Sequence, residues 1–386
     1  MKLTLSNKLM ATLTRIVYLR DILAYMGTIE EICKLRRVNK SWDECVLYYS
    51  EDTWQRIYAT YEDKKKNTLL HICGKKGIPR VIISLVLYCE KDINIKNKYN
   101  YTALHDACFN SHTECVKLLL EAGVDKEAKD LDNWTPLHNA CRRGHAECVK
   151  LLLEAGVDKE AKGLNNWTPL HSACSNGYTE CVKLLLSAGV DKEARNLNNW
   201  TPLHNACFKG NTECVKLLLE AGAEKEARDS DNYTLLHNAC IHDHKECVKL
   251  LLEAGADKEA NGSNNYTPLH NACRYGHTEC VKLLLEAGVD KEAKDLYNWT
   301  PLHNACFNDH AECVKLLLEA GVDKEARDSY NWTPLHFACR NGYTECVKLL
   351  LEVGANKSEI DRDGNTALKI AEIYGRNECA KLLRGV

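Results

Sequence analysis

The chain of 386 residues carries almost no net charge, with 51 lysines and arginines against 54 acidic residues. That balance gives no global reason to expect nucleic acid or an anionic membrane as the main partner. Long apolar runs are missing too: the longest, at residues 81–88, falls far short of the ~20 residues that cross a bilayer. Residues 1–10, MKLTLSNKLM, lack the continuous apolar stretch of a secretory signal. There is no GxSxG, Walker A, HExxH or CxxC pattern, so no catalytic residue and no cofactor is assigned from motifs. What the chain does have is a globular balance, 45% apolar and 27% charged, which excludes a disordered reading.

Cysteine is abundant, and its placement says more than its number. Of 21 cysteines, 17 recur at two fixed positions of a repeated block; the others are Cys33, Cys45, Cys73 and Cys89. An odd total on apolar helix faces suits a reducing compartment, cytosol or nucleus (a host cell's included), better than a secreted disulfide scaffold.

The block itself is the dominant signal. A threonine opens a near-identical unit at Thr102, Thr135, Thr168, Thr201, Thr234, Thr267, Thr300, Thr333 and Thr366, every 33 residues, with a looser copy from Thr68. One unit, residues 135–167, reads TPLHNACRRGHAECVKLLLEAGVDKEAKGLNNW. Thr135 suits a helix N-cap and Pro136 the first turn, where no amide donor is needed. Leu137, Ala140 and Cys141 form a short apolar face, and Gly144 ends the helix. A second helix carries Cys148, Val149, Leu152 and Leu153 at helical spacing, and Gly156 falls where a left-handed cap belongs. Asn166 takes a turn position, where asparagine tolerates a positive φ. Helices this short cannot stand alone, but stacked copies cover one another, so the spacing predicts a solenoid.

The TPLH opening, the HAECVKLLLEAG segment and the 33-residue step resemble the ankyrin repeat over residues 67–386. The resemblance implies an all-α solenoid of about ten helix-turn-helix repeats with β-hairpin-like fingers, the first and last repeats acting as caps. With layers about 8–10 Å apart, ten repeats would reach on the order of 100 Å. It also implies that the histidine supports hydrogen bonding between repeats.

Residues 1–61 lack the repeat, and residues 62–66 read as a polar hinge. Leu19, Ile22, Leu23 and Met26 share one helical face, and Ile32, Leu35, Val38 and Trp42 another. Residues 22–61 resemble an F-box through Ile22–Leu23, the run LRRVNKSW and Trp54–Gln55–Arg56, although the usual leading Leu-Pro is absent. The resemblance implies docking on Skp1 through Ile22, Leu23, Leu35, Val38, Trp42 and Trp54, and hence an adaptor of a cullin ubiquitin ligase. The competing expectation is a helical cap on the first repeat, with the chain a plain scaffold or inhibitor.

HxxC pairs such as His105/Cys108 and His138/Cys141 have zinc-ligand residue types, but cysteine at alanine or valine positions behaves as a small buried hydrophobe, so no metal is expected. N-x-T sequons beginning at Asn100 and repeating to Asn331 are explained by turn geometry. An aromatic row is more informative: Tyr101, Trp134, Trp167, Trp200, Tyr233, Tyr266, Trp299 and Trp332. Its two expectations are packing between fingers and display to a ligand. The residues after the first-helix cysteine vary while the core does not: Phe109 and Asn110, Arg142 and Arg143, Phe208 and Lys209, Ile241, Arg274 and Tyr275, Phe307, Arg340. In ankyrin repeats these positions face the concave groove. The expected function is binding of another protein there by a monomer, with no nucleic acid or membrane involved.

Overall fold

The structure is a computed structural model that describes residues 66, 68–77, 79 and 92–385. The F-box-like segment, its six Skp1-docking candidates, the run at 81–88 and Cys33, Cys45 and Cys89 lie outside the described residues. Among the described residues the chain forms 19 α-helices and no strand. It divides into two compact units, Met1–Leu164 and Asn165–Val386.

In the first unit the helices are Leu69–Lys76, then the pairs Ala103–Phe109 with Thr113–Glu121 and Pro136–Arg143 with Ala146–Glu154. In the second unit seven pairs follow, from Pro169–Ser175 with Thr179–Ser187 to Ala367–Ile373 with Asn377–Arg384. Within each unit every first helix packs on the next first helix and every second helix on the next second helix.

The threonine sets each start. Thr135 is extended (φ −93°, ψ 167°), Pro136 opens the helix, and His138 at the third position reaches back to the threonine amide. Gly144, at φ 75°, closes that helix in the left-handed region that only glycine enters freely. Ala146–Glu154 then begins at once, with Cys148, Val149 and Leu152 fully buried. The same leucine, alanine, cysteine and valine positions are buried in the eight copies that open at Thr102 to Thr333, a core repeated with the period of the sequence. All 18 described cysteines are buried.

The fingers are turns held by a side chain rather than by a strand ladder. Asp130 Oδ1 accepts from the amides of Asp132 and Trp134, both at 2.8 Å, while Asn133 takes φ 60°. Asp229, Asp295, Asp328 and Asp361 repeat that turn, and Asn97 and Asn196 make it with an amide oxygen. Adjacent fingers exchange single backbone bonds, such as Leu131 N to Tyr99 O at 3.2 Å and Ser329 N to Tyr297 O at 2.9 Å. Arms only two or three residues long leave room for isolated bridges, as at Arg228 with Thr234, and no more.

The polar stretch after each second helix, DKEA in most copies and EKEA at residues 224–227, which the hydrophobic pattern passes over, also joins the repeats. Lys225 Nζ donates to the Ala254 carbonyl at 2.6 Å, at the C-terminal end of the next second helix. Glu226 Oε1 accepts from the Asp257 amide at 2.9 Å, and Glu259 and Glu292 do the same one and two repeats on.

Candidate partner-binding surface

The repeated histidine and the aromatic row are built as one unit. His270 Nδ1 lies 3.2 Å from the Thr267 amide and 2.8 Å from its hydroxyl, while Nε2 meets the carbonyl of Trp299 in the next repeat at 3.0 Å. An amide must donate and a carbonyl must accept, so the ring is neutral with its proton on Nε2. His105, His171, His237, His303 and His336 repeat the bridge at 2.8–3.2 Å. Burial pushes these histidines well below the usual value, to about 4 for His105, His171, His237, His270 and His303. His204 is the exception: its Nε2 has no partner, and it is pushed down to about 3. His105, His171, His237, His270, His303 and His336, with both nitrogens engaged, serve repeat packing. Among the described residues no group of three or more His, Cys, Asp or Glu side chains is placed to hold a metal ion.

Each row aromatic packs on the histidine four residues ahead, with ring centroids 5.3–6.5 Å apart. Tyr266 is buried and the other seven are half-buried. In five of the eight repeats the variable position eight residues on then covers the aromatic of its own repeat. The guanidinium of Arg142 lies 5.0 Å from the Trp134 ring, Arg274 5.5 Å from Tyr266, and Arg340 5.6 Å from Trp332. In other repeats a phenyl ring does the covering: Phe208 is 4.8 Å from Trp200 and Phe307 5.1 Å from Trp299. The two sequence signals are therefore one surface, an aromatic edge with an interchangeable Arg or Phe lid. The neighbouring variable residues add to it locally: Arg143 lies over Phe109 at 4.4 Å, Lys209 over Phe208 at 5.1 Å, Tyr275 stacks on His277, and Asn110 caps the Asp106 carbonyl. Ile241 is half-buried.

In the second unit part of this surface deepens into a groove of about 500 Å³. Tyr266, Trp299, Trp332 and Arg340, all marked by the sequence, line it together with Asp295, Tyr297, Asp328, Tyr330, Phe337 and Tyr374. Phe337 is the most consequential residue the sequence reading left out. Its ring lies 4.6 Å from Trp299, 5.0 Å from Trp332 and 5.8 Å from Phe307. A signal was present, because Asn139, Asn205, Asn238, Asn271 and Asn304 occupy that position in other copies. The finger tips carry exposed apolar side chains as well: Leu131, Leu197, Leu296, Tyr297 and Tyr330 are among the most exposed large apolar residues described, at 56–66%.

The ankyrin-repeat family model matches residues 43–130, 126–196, 188–262, 258–328 and 323–385. The chain belongs to the ankyrin-repeat family. Solved structures of many chains share the fold, among them the ankyrin repeat domain of human ASB11. That domain is 36% identical, with a TM-score of 0.51 over 56% of this chain and 98% of that one. No curated protein sequence matches closely enough to count as a relative. Ankyrin repeats are protein-binding modules, and this chain is built as one. Among the described residues no helix is long and apolar enough to cross a membrane.

Proposed function

We propose that this ankyrin array captures another protein on its aromatic row and variable lids, and delivers it to a ubiquitin ligase. The observation that carries the first half is the pairing of a repeated aromatic edge with a lid that changes between repeats. The scaffold stays constant while the contact chemistry alternates between cationic and aromatic. Half-buried tryptophan and tyrosine beside arginine is the composition that dominates binding energy at protein interfaces. The array performs no chemistry of its own in this reading, and its many buried cysteines suit the reducing cytosol or nucleus.

The second half rests on the F-box resemblance of residues 22–61, with Ile22, Leu23, Leu35, Val38, Trp42 and Trp54 as the Skp1-docking side chains. A binding assay with purified Skp1 tests it. The intact chain should bind, and a folded Leu35→Asp or Trp42→Ala variant should not. No binding by the intact chain reduces the function to partner capture alone. One observation favours that second reading, a scaffold or inhibitor whose N-terminus caps the stack: the first family match already begins at residue 43, inside the segment.

A further inference from the structure

The groove of the second unit sets buried carboxylates among clustered aromatic side chains. Its walls are aromatic: Trp299, Trp332, Phe337, Tyr266 and the finger-tip Tyr297 and Tyr330. Two finger carboxylates lie among them. Asp295 and Asp328 are 4% and 5% exposed, and each spends Oδ1 on its own turn, accepting two backbone amides at 2.7–2.8 Å. Asp295 Oδ2 has no hydrogen-bond partner at all.

The comparison with a neighbouring repeat shows what is missing. Asp229 Oδ2 accepts from the Asn238 amide at 3.3 Å. The equivalent Asn304 donates to the Thr300 carbonyl at 3.5 Å, and the equivalent for Asp328 is Phe337, which has no donor. Two carboxylates against the single guanidinium of Arg340 leave the lining with a formal negative charge. Arg340 stands over the Trp332 and Tyr374 rings, at 5.6 and 5.4 Å. A buried carboxylate oxygen without a donor is costly unless something else supplies positive charge. Burial and the charge of Asp328 both push the Asp295 carboxyl up, although its backbone donors pull it down.

The geometry points to a cation subsite: the groove accepts an alkylammonium, the head of a lysine or N-methylated lysine side chain on the captured protein. This rests on reading the aromatic row as the partner-binding face and names the group that enters it. The ring faces attract the cation, and the carboxylates beneath supply the net charge.

Calorimetric titration of the full chain tests it, with a short peptide bearing lysine, its trimethyllysine and norleucine analogues, and free choline. The ammonium peptides should bind saturably, about tenfold tighter than the norleucine peptide. Binding by choline as well would assign the site to small free cations instead of a side chain, and so overturn the side-chain form. Asp295→Asn with Asp328→Asn should cost about tenfold in ammonium binding. Asn97 and Asn196 make the same finger turn with an amide oxygen, so this variant keeps its fold. As an independent check, Arg340→Gln should tighten the ammonium peptides. Equal binding of the norleucine peptide, no saturable binding, or weakening by Arg340→Gln each overturns the proposal. Unchanged capture of a partner protein by the double Asn variant overturns the cation subsite while leaving the partner-binding face intact.

Discussion

At the scale of single residues, the buried histidines and cysteines resist ionisation for a common reason: their charged forms would sit in the repeat core without solvent. Protonating His270 would also point a new N–H from Nδ1 at the Thr267 amide, which is itself a donor. Because the folded values lie near 4 and the unfolded value near 6.5, the unfolded chain binds more protons between those limits. Stability contributed by the neutral histidines is therefore complete above about pH 6.5 and is lost as pH falls towards 4. Each is worth on the order of 3 kcal/mol when fully lost, so several together should unfold the array before pH 4 is reached. Urea-unfolding midpoints measured from pH 7.5 downwards should decline steadily below about 6.5; a flat profile to pH 5 would contradict the neutral bridge. The thiols behave in the opposite direction, with burial pushing Cys148 up to about 11 and Cys346 up to about 12. A thiolate-directed alkylating reagent at pH 7.5 should leave Cys108, Cys207 and Cys273 unlabelled in the folded protein and label them after denaturation. Mass spectrometry that finds any of these three modified in the native chain would refute their burial.

At the scale of the element, the finger depends on a carboxylate for its turn and on asparagine for its left-handed residue. Asn298 holds φ 60°. Asn298→Gly should leave stability within about 0.5 kcal/mol, since glycine enters that region freely. Asn298→Val should lose roughly 1–2 kcal/mol, because a β-branched side chain clashes with the backbone there. Chemical denaturation of the two variants checks the difference, and equal midpoints would refute the turn argument. The first helices were legible because their boundaries carry residues with a single physical job: threonine at the N-cap of each, with proline in the first turn and glycine at the close of several. The finger was less so. Whether Asp130 turns the chain with its carboxylate, or the stretch pairs as a small ladder, depends on arm length in space. Lys225 and Glu226 look like ordinary solvated charges until the next repeat places a carbonyl and an amide opposite them.

At the scale of the molecule, stability is a sum over neighbours: helix pairs meet helix pairs one repeat away. Removing residues 234–266, one whole period inside the second unit, joins Tyr233 to Thr267 and re-creates a junction of the same kind. The shortened chain should fold, with a denaturant slope lower by roughly a tenth, the share of one repeat in ten. Aggregation of that deletion on expression, or loss of its helical circular dichroism signal, would show that the repeats are not interchangeable.

The period, the fold class and the buried faces follow from the sequence alone, because a 33-residue repeat of two short amphipathic helices has one economical way to hide its apolar sides; that the histidine is neutral follows only from the amide and carbonyl that the fold sets against its two nitrogens. The aromatic row and the variable positions were visible as separate columns. Only the tertiary structure decided that they are one surface, since an arginine or phenylalanine eight residues away covers the aromatic through the fold of its own repeat. The groove required it still more. Asp295, Asp328 and Phe337 come from two fingers and a helix, and the donor that Asp295 lacks is apparent only in the folded repeat.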